Sequence, residues 1–595
     1  MKNPLKPFQY EMTISSAAPG KGHQWNQLRI IFWLVAFIIG FLQAWADRHD
    51  MFPDGISYLD VGDAFFRDGW TSAVNAYWSP LYAWLLGLAL FVFKPPPYWE
   101  FSVAHLVNFA IFLFSLGCFD FFLRELIRHH RRGMASLTLE RWVTLPEWAY
   151  LTLGYSLFIW SSLFLISVSV VTPDMLVSAF VYLSSGIILR IRNGSDDWLT
   201  FAGLGATLGL GYLAKAVMFP LAFVFLVLSI FSVGNLRRAT PRVLVALIFF
   251  LLVGGPFILA LSKAKGRFTF GESGKLTYTW FVNGTAAVHW QGGPAISGVP
   301  LHPTRKILAK PPVYEFGAPV GGTYPPWFDP TYWFEGVRLH FDLTRQMRVI
   351  RQNLEEYYDM LFSRMQCGLL VGLLTLYLMR RGRWSWVKDV AAQWNLFIPP
   401  LVALGMYSLI FATPRYFGAF VVLLWIGLFS GVRLPNTPES RRLVGRVTLA
   451  LVMLFAIVVI PPAVKDASDI ARSVANGEDA SAHSSWQVAE GLRLMGVKPG
   501  DEVAVIESSS GSPIKPMYWA RLAKVRIVAE VAPGALFLTQ KAEQFWAADS
   551  IGKVIEAFGQ TGAKVIVSEK ARCSIPMHGW QRIGNTDYYA YVLAR

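Results

Sequence analysis

The chain has 595 residues, of which 54% are hydrophobic, 15% aromatic and only 16% charged. Charged residues approach a quarter of an ordinary soluble domain, so this composition excludes that class and reads as a polytopic membrane protein. The formal net charge of +15 does not point to a nucleic-acid partner, because Lys and Arg stand in short runs between apolar segments, where membrane orientation requires them.

The first apolar segment, 28–46, follows a polar leader, residues 1–27. It ends in Ala44-Trp45-Ala46, a formal signal-peptidase match. Leader and apolar run are both long for a signal peptide, so an uncleaved anchor is expected. A span needs roughly 20 mostly apolar residues. Further candidates are 103–126, 147–170, 175–191, 198–214, 216–232, 243–262, 362–379, 393–412, 416–432 and 446–463, which makes about eleven spans, with up to 13 allowed. Segment 79–93 is apolar but short. If it does not cross, every basic connector falls on the cytoplasmic side: the amino terminus with Lys2, Lys6 and Lys21; Arg128, Arg131, Arg132 and Arg141; Arg190 and Arg192; Arg237, Arg238 and Arg242; Arg380, Arg381, Arg383 and Lys388; Arg433, Arg441, Arg442 and Arg446. The segment is read as an interfacial or re-entrant helix within an external loop at 47–102.

The expected fold is thus an α-helical polytopic membrane domain over 28–465 with external loops at 47–102 and 263–360. A small extracytoplasmic α/β domain follows over 466–595. The 263–360 loop is too long for a simple connection. Its Gly, Pro and aromatic content suggests an ordered cap, and Asp342 to Tyr358 reads as a helix on the membrane surface. Its aromatics fit an interfacial belt as well as they fit sugar stacking. In the last region, strands are expected at 501–506 and 563–567, a helix at 551–558, and two final strands either side of Asn585-Thr586-Asp587. It has no glycine-rich phosphate loop, no GxSxG and no metal-ligand spacing, and is assigned no catalysis. Cys118, Cys367 and Cys573 lie in two separate apolar segments and a polar tail, which indicates neither a disulfide framework nor a zinc site.

With that topology Asp54, Asp60 and Asp63, then Asp174, Lys215 and Arg415, converge on the outer face. Ionisable residues at membrane depth are costly and mark pathways or sites. Each also has a plainer reading: loop acids are usually solvated, Asp174 with Thr172 suits a helix start, Lys215 can snorkel to headgroups, and Arg415 can anchor at the interface. The sharper reading makes Lys215 and Arg415 a phosphate cradle.

The order of motifs carries a resemblance. Asp-x-x-Ser-Tyr (Asp54, Ser57, Tyr58), Ser79-Pro80-Leu81-Tyr82, Thr172-Pro173-Asp174 opening a span, Gly-x-x-x-Leu-x-Lys (Gly209 to Lys215) and Arg415-Tyr416 together resemble the GT-C membrane glycosyltransferases, in the branch of the protein O-mannosyltransferases and lipid A aminoarabinose transferases. The resemblance covers about 28–432. It implies transfer of a sugar, outside the cytoplasm, from a polyprenyl-phosphate or polyprenyl-diphosphate carrier to a lipid, polysaccharide or protein acceptor. Asp54 would be general base or acceptor-orienting acid, Asp174 the second acid, and Lys215 and Arg415 the holders of the carrier phosphate, with Tyr58, Asp60 and Tyr416 beside the substrates. The chain departs from the family in having no adjacent acid pair in the first loop and no DxD at Asp174, which weakens the case for a bound divalent metal; no metal ligands are assigned. Two alternatives remain open: a transporter or flippase of lipid-linked saccharides, and an assembly or sensor protein working through its carboxy-terminal domain.

Overall fold

The computed structural model describes residues 20–135, 142–379, 385–475, 484–506, 516–532, 548–569 and 579–593. Lys2, Lys6, Arg141, Arg380, Arg381, Arg383 and Cys573, singled out above, lie outside them.

Each of the eleven apolar segments is helical. They are α1 (Gly20–Ala46), α4 (Glu100–Ala135), α5 (Glu147–Trp160, extended by a π turn, Ser161–Ile166), α6 (Asp174–Arg192), α7 (Trp198–Ala214), α8 (Met218–Val233), α9 (Leu236–Lys265), α14 (Arg364–Leu378), α16 (Trp394–Ser408), α17 (Pro414–Ser430) and α18 (Pro438–Ala475). Between them lie α2 (Pro53–Asp68), α3 (Pro80–Phe93), α10 (Ser273–Phe281), two four-residue turns α11 (Pro325–Phe328) and α12 (Pro330–Trp333), α13 (Leu343–Leu361) and α15 (Ser385–Ala391). Among the described residues six helices are long and apolar enough to cross a membrane, or seven if α13 and α14, bent by 69° at their junction, form one span. The others are shorter for a local reason. Helix α7 ends where Lys215 turns extended, α8 starts three residues later, and α17 starts at Pro414, whose missing N–H suits a first helical turn.

Packing sorts the helices. Helices α5 and α6 are enclosed, whereas α1, α9 and α18 leave apolar rows uncovered, among them Ile31, Leu34 and Ile38, Leu252 and Leu259, and Ile457 and Val464. Rows of that kind on continuous apolar helices are stable against hydrocarbon, not water. The basic connectors meet at one end of the bundle: Arg192 donates to Asn395 and to the Ala392 carbonyl, Arg242 pairs with Asp196, Arg433 pairs with Asp389, and strands β1 (Trp142–Thr144) and β4 (Arg433–Pro435) pair there. Helix α6 has 19 residues, so its two ends lie about 28 Å apart, and Asp174 marks the other end.

At that other end α2 crosses α3 at almost bare backbone. A Cβ on Gly87 would stand 2.7 Å from the Gly62 carbonyl oxygen, and one on Gly62 would stand 2.6 Å from that of Ala83. Only glycines permit this approach. Helix α3 is anchored to α4 by Tyr82, whose hydroxyl donates to Asn108 Oδ1 at 2.5 Å. Asn108 in turn donates to the carbonyls of Val168 and Val170, fixing the segment that leads into Asp174.

The carboxy-terminal part adds α19 (Ser484–Leu494), α20 (Pro516–Ala523) and α21 (Ala548–Gly559), with strands β5 (Glu502–Ile506), β6 (Arg526–Val531), β7 (Val565–Glu569), β8 (Trp580–Arg582) and β9 (Tyr588–Val592). The expected strands and helix are present; β6, α19 and α20 were not foreseen. The sheet also takes β2 (Arg305–Leu308) and β3 (Val313–Glu315) from the 263–360 segment, giving the order β2-β3-β6-β5-β7-β9-β8. Strands β6, β5 and β7 are parallel, and β3 adds antiparallel to β6 with Val313 opposite Val531. Glu530 on β6 ties the two parts further, accepting from the Tyr324 hydroxyl at 2.6 Å and lying 2.6 Å from His289 Nε2. The long segment is thus ordered, and its aromatics pack inward: the Trp327 carbonyl accepts from Ser57 Oγ and Trp78 Nε1, while the Trp280 ring stacks on that of Trp327. Helix α13, at the place expected for a surface helix, turns Gln346, Asn353 and Tyr357 to donate to the Leu409, Ser408 and Leu404 carbonyls at the end of α16. Met347, Leu354 and Tyr358 remain exposed.

Candidate active site

A cavity of about 590 Å³ lies where these helix ends meet. Its wall includes Asp54 and Tyr58 from α2, Asp174 from α6, Lys215 from the α7–α8 break, and Arg415 and Tyr416 from α17. Six of the seven residues singled out from the sequence are brought together; Asp60 is not. Asp54 and Asp174 lie in the first turns of α2 and α6, Arg415 follows Pro414 in the first turn of α17, and the starts of α8 and α10 also face the cavity. Helix amino termini present unpaired N–H groups and a partial positive charge, so this convergence favours an anion.

The four charged groups form a chain. Lys215 Nζ donates to Asp174 Oδ1 at 2.5 Å. Arg415 Nη2 donates to Asp54 Oδ2 at 3.1 Å, and its Nε stands 3.7 Å from Asp174 Oδ2. Thr172 Oγ1 donates to Asp174 Oδ2 at 3.0 Å, so it serves the carboxylate; the residue preceding α6 is Pro173 and makes no side-chain cap. Lys215 sits 3.6 Å above the Tyr416 ring, and the Arg415 guanidinium lies between the rings of Phe52 and Tyr416 at 4.7 and 5.2 Å. Arg415 Nη1 has no hydrogen-bond partner among the described residues. Burial pushes the Asp54 carboxyl above its ordinary range, with Arg415 opposing the shift.

The plain readings are thereby distinguished in part. Lys215 does not reach for a headgroup; its ammonium meets a buried carboxylate, the anion that an ammonium in an apolar run needs. Both acids have cations as partners, and among the described residues no group of three or more His, Cys, Asp or Glu side chains is placed to hold a metal ion. Asp60, by contrast, points away from the cavity. It accepts from the backbone N–H and hydroxyl of Thr323 at 2.7 and 2.9 Å and from Arg521 Nη1 at 2.7 Å, beside a separate polar cavity of about 890 Å³.

Sequence reasoning missed Lys275, Tyr77, Tyr278 and Tyr407, which also line the 590 Å³ cavity. Lys275, in Ser273-Gly274-Lys275 at the start of α10, carried the one usable signal, a lysine beside a glycine opening a helix; the tyrosines look like any aromatic in an apolar run.

No family model and no curated protein matches the chain. Solved structures do. ArnT from Cupriavidus metallidurans in the apo state aligns over 96% of this chain and 98% of its own at 12% identity and a TM-score of 0.43. The same protein bound to undecaprenyl phosphate aligns over the same shares at 11% identity and 0.43. The archaeal oligosaccharyltransferase AglB from Archaeoglobus fulgidus, in complex with an inhibitory peptide and a dolichol-phosphate, aligns over 93% of this chain and 70% of its own at 12% identity and 0.45. The chain is a mostly helical polytopic membrane protein with a small carboxy-terminal sheet.

Proposed function

We propose that the protein is a glycosyltransferase that moves a sugar from a polyprenyl-phosphate or polyprenyl-diphosphate carrier to an acceptor outside the cytoplasm. The observation that carries the reading is the charged chain Lys215–Asp174–Arg415–Asp54 in one cavity formed by helix amino termini. The basic connectors collect at the opposite end, so the rule that positive loops stay inside orients the cavity and the 466–595 domain away from the cytoplasm and the amino terminus within it.

In this mechanism the carrier phosphate docks on Lys215 and Arg415, whose free Nη1 supplies a donor. Arg415 then shares its charge between the phosphate and Asp54. Losing part of its cation while gaining a neighbouring anion raises the proton affinity of Asp54, so the base is strengthened when donor is present. Asp54 takes the proton of an acceptor hydroxyl as that oxygen bonds to the anomeric carbon. The bond from carbon to phosphate oxygen breaks, its electron pair leaves with the lipid phosphate, and Lys215 and Arg415 stabilise that charge. Asp174 holds both cations in place. A single direct displacement inverts the anomeric centre. Tyr58 and Tyr416 border the space where sugar and acceptor meet.

The test is transfer of labelled sugar from polyprenyl phosphosugars by the full-length protein in liposomes, read by mass spectrometry. Asp54→Asn is expected to abolish transfer at unchanged abundance. Movement of lipid-linked sugar across the bilayer with no bond transfer would make the protein a flippase instead.

A further inference from the structure

The carboxy-terminal region holds one side chain of unusual placement. Arg521, on α20, is 4% exposed and more than 400 residues in sequence from everything it binds in the membrane part. Its Nη1 donates to Asp60 at 2.7 Å, its Nη2 to Asp63 at 2.6 Å, and its Nε to Glu100 at the start of α4. Lys524, one turn on, donates to Glu100 alone. Asp60 and Asp63 belong to α2, the helix that begins with Asp54.

The helical period places these groups precisely enough to matter. At about 100° per residue, Asp54 and Tyr58 share the face of α2 that meets the 590 Å³ cavity, while Asp60 and Asp63 share the face roughly opposite. Helix α2 is therefore gripped on both sides: Arg415 holds its first turn from the cavity, and Arg521 holds its middle from behind, about 9 Å along the axis from Asp54. The glycine crossing with α3 supplies the fulcrum, because Gly62 lies between the two acids that Arg521 binds. A planar guanidinium with donors on three edges fixes both position and rotation of a helix in a way that an ammonium does not.

We propose that Arg521 is a positioning residue for the transfer reaction, setting the rotation of α2 and with it the aim of Asp54, so that the carboxy-terminal domain completes the active site without touching substrate. The proposal rests on the reading of Asp54 as the base.

The experiment compares Arg521→Met, Arg521→Lys and Lys524→Met in the full-length protein, with kcat expressed per folded molecule and the donor KM measured alongside. Lys524 joins the same network from the residue just after α20, and its hydrogen bond goes to Glu100, not to an acid of α2. Arg521→Met is expected to lower kcat at least tenfold with the donor KM within twofold, Arg521→Lys to recover part of the loss, and Lys524→Met to stay within twofold of the unmutated kcat. A folded Arg521→Met protein with unchanged kcat overturns the proposal, and so does an equal loss in Lys524→Met, which would reduce Arg521 to general attachment of the domain. Should Arg521→Met not fold, Asp60→Asn decides: a lowered kcat at constant donor KM supports positioning, whereas a raised KM at constant kcat makes Asp60 a substrate contact and overturns it. Full transfer by Asp54→Asn would instead remove the reading of Asp54 on which the proposal stands, an outcome separate from all of these.

Discussion

The pairing of Lys215 with Asp174 gives the sharpest test, because its structural and functional roles respond oppositely to one double substitution. Asp174 is 3% exposed in its side chain and Lys215 23%. Lys215→Met leaves the carboxylate with the Thr172 hydroxyl and with Arg415 Nε at 3.7 Å. Removing one partner of a buried pair costs about 3–5 kcal/mol. The remaining partners, and the partial exposure of Lys215, bring the expected loss of stability nearer 2–3 kcal/mol, at the upper end of ordinary single substitutions. Asp174→Asn in the same chain removes the stranded charge, and replacing both members of a buried pair is often close to neutral, so the double variant is expected to regain most of its thermal stability. Affinity for the carrier behaves differently if Lys215 holds phosphate. A charge-assisted hydrogen bond contributes about 1.5–3 kcal/mol, which is roughly 10- to 150-fold in Kd, and the double substitution does not restore it. The assay is thermal unfolding in detergent together with equilibrium binding of polyprenyl phosphate, which needs no turnover. A double variant that recovers both stability and carrier affinity would show that Lys215 only neutralises Asp174, and the phosphate cradle would fall.

Three further outcomes follow from the same geometry. Because burial raises the Asp54 carboxyl above the ordinary aspartate value of about 3.9 and the base acts as carboxylate, kcat is expected to fall as pH drops through that raised value; a profile flat down to about pH 4 would exclude Asp54 as base. Gly87→Leu forces α2 and α3 apart, because its Cβ would stand 2.7 Å from the Gly62 carbonyl oxygen, so it is expected to destabilise by about 1–3 kcal/mol and to lower kcat more than tenfold; unchanged melting and turnover would show that the crossing does not set the site. A cysteine introduced beside Asp174 is expected to react with an impermeant thiol reagent from outside intact cells, and protection there with labelling from the cytoplasm would invert the topology.

The membrane part was legible because its chemistry is local. An apolar run of adequate length must hydrogen-bond its own backbone in hydrocarbon, so each of the eleven segments became a helix. A lysine or arginine at the edge of such a run stands out by its cost alone, which is how Lys215 and Arg415 were found. The residues that escaped notice follow the same logic. Tyr77 and Tyr407 line the cavity, but aromatics are so frequent here that composition cannot pick them out. Strands β2 and β3 are four and three residues long, and β3 pairs with a strand more than 200 residues away, a long-range choice invisible in a local pattern. Asp60 shows the limit most clearly. Its place in an acidic loop beside Asp54 and Asp63 suggests one shared site, but the partner that turns Asp60 from the cavity, Arg521, lies in the other part of the chain.

Charge accounting along α2 shows why the helix needs both grips. Asp54, Asp60, Asp63 and Asp68 put four carboxylates on one 16-residue helix with a single basic residue, Arg67, which pairs with Asp68 at its end. Apart from packing, such a helix would seek water and move toward solvent. Arg415 and Arg521 come from opposite directions and each takes up at least one of these acids, so α2 rests where the two attractions balance and where the glycines of α3 let it sit close. A helix held in this way has little freedom to rotate, and under the proposed mechanism a phosphate that draws on Arg415 would weaken the cavity-side grip on Asp54 while leaving the one at Arg521 in place.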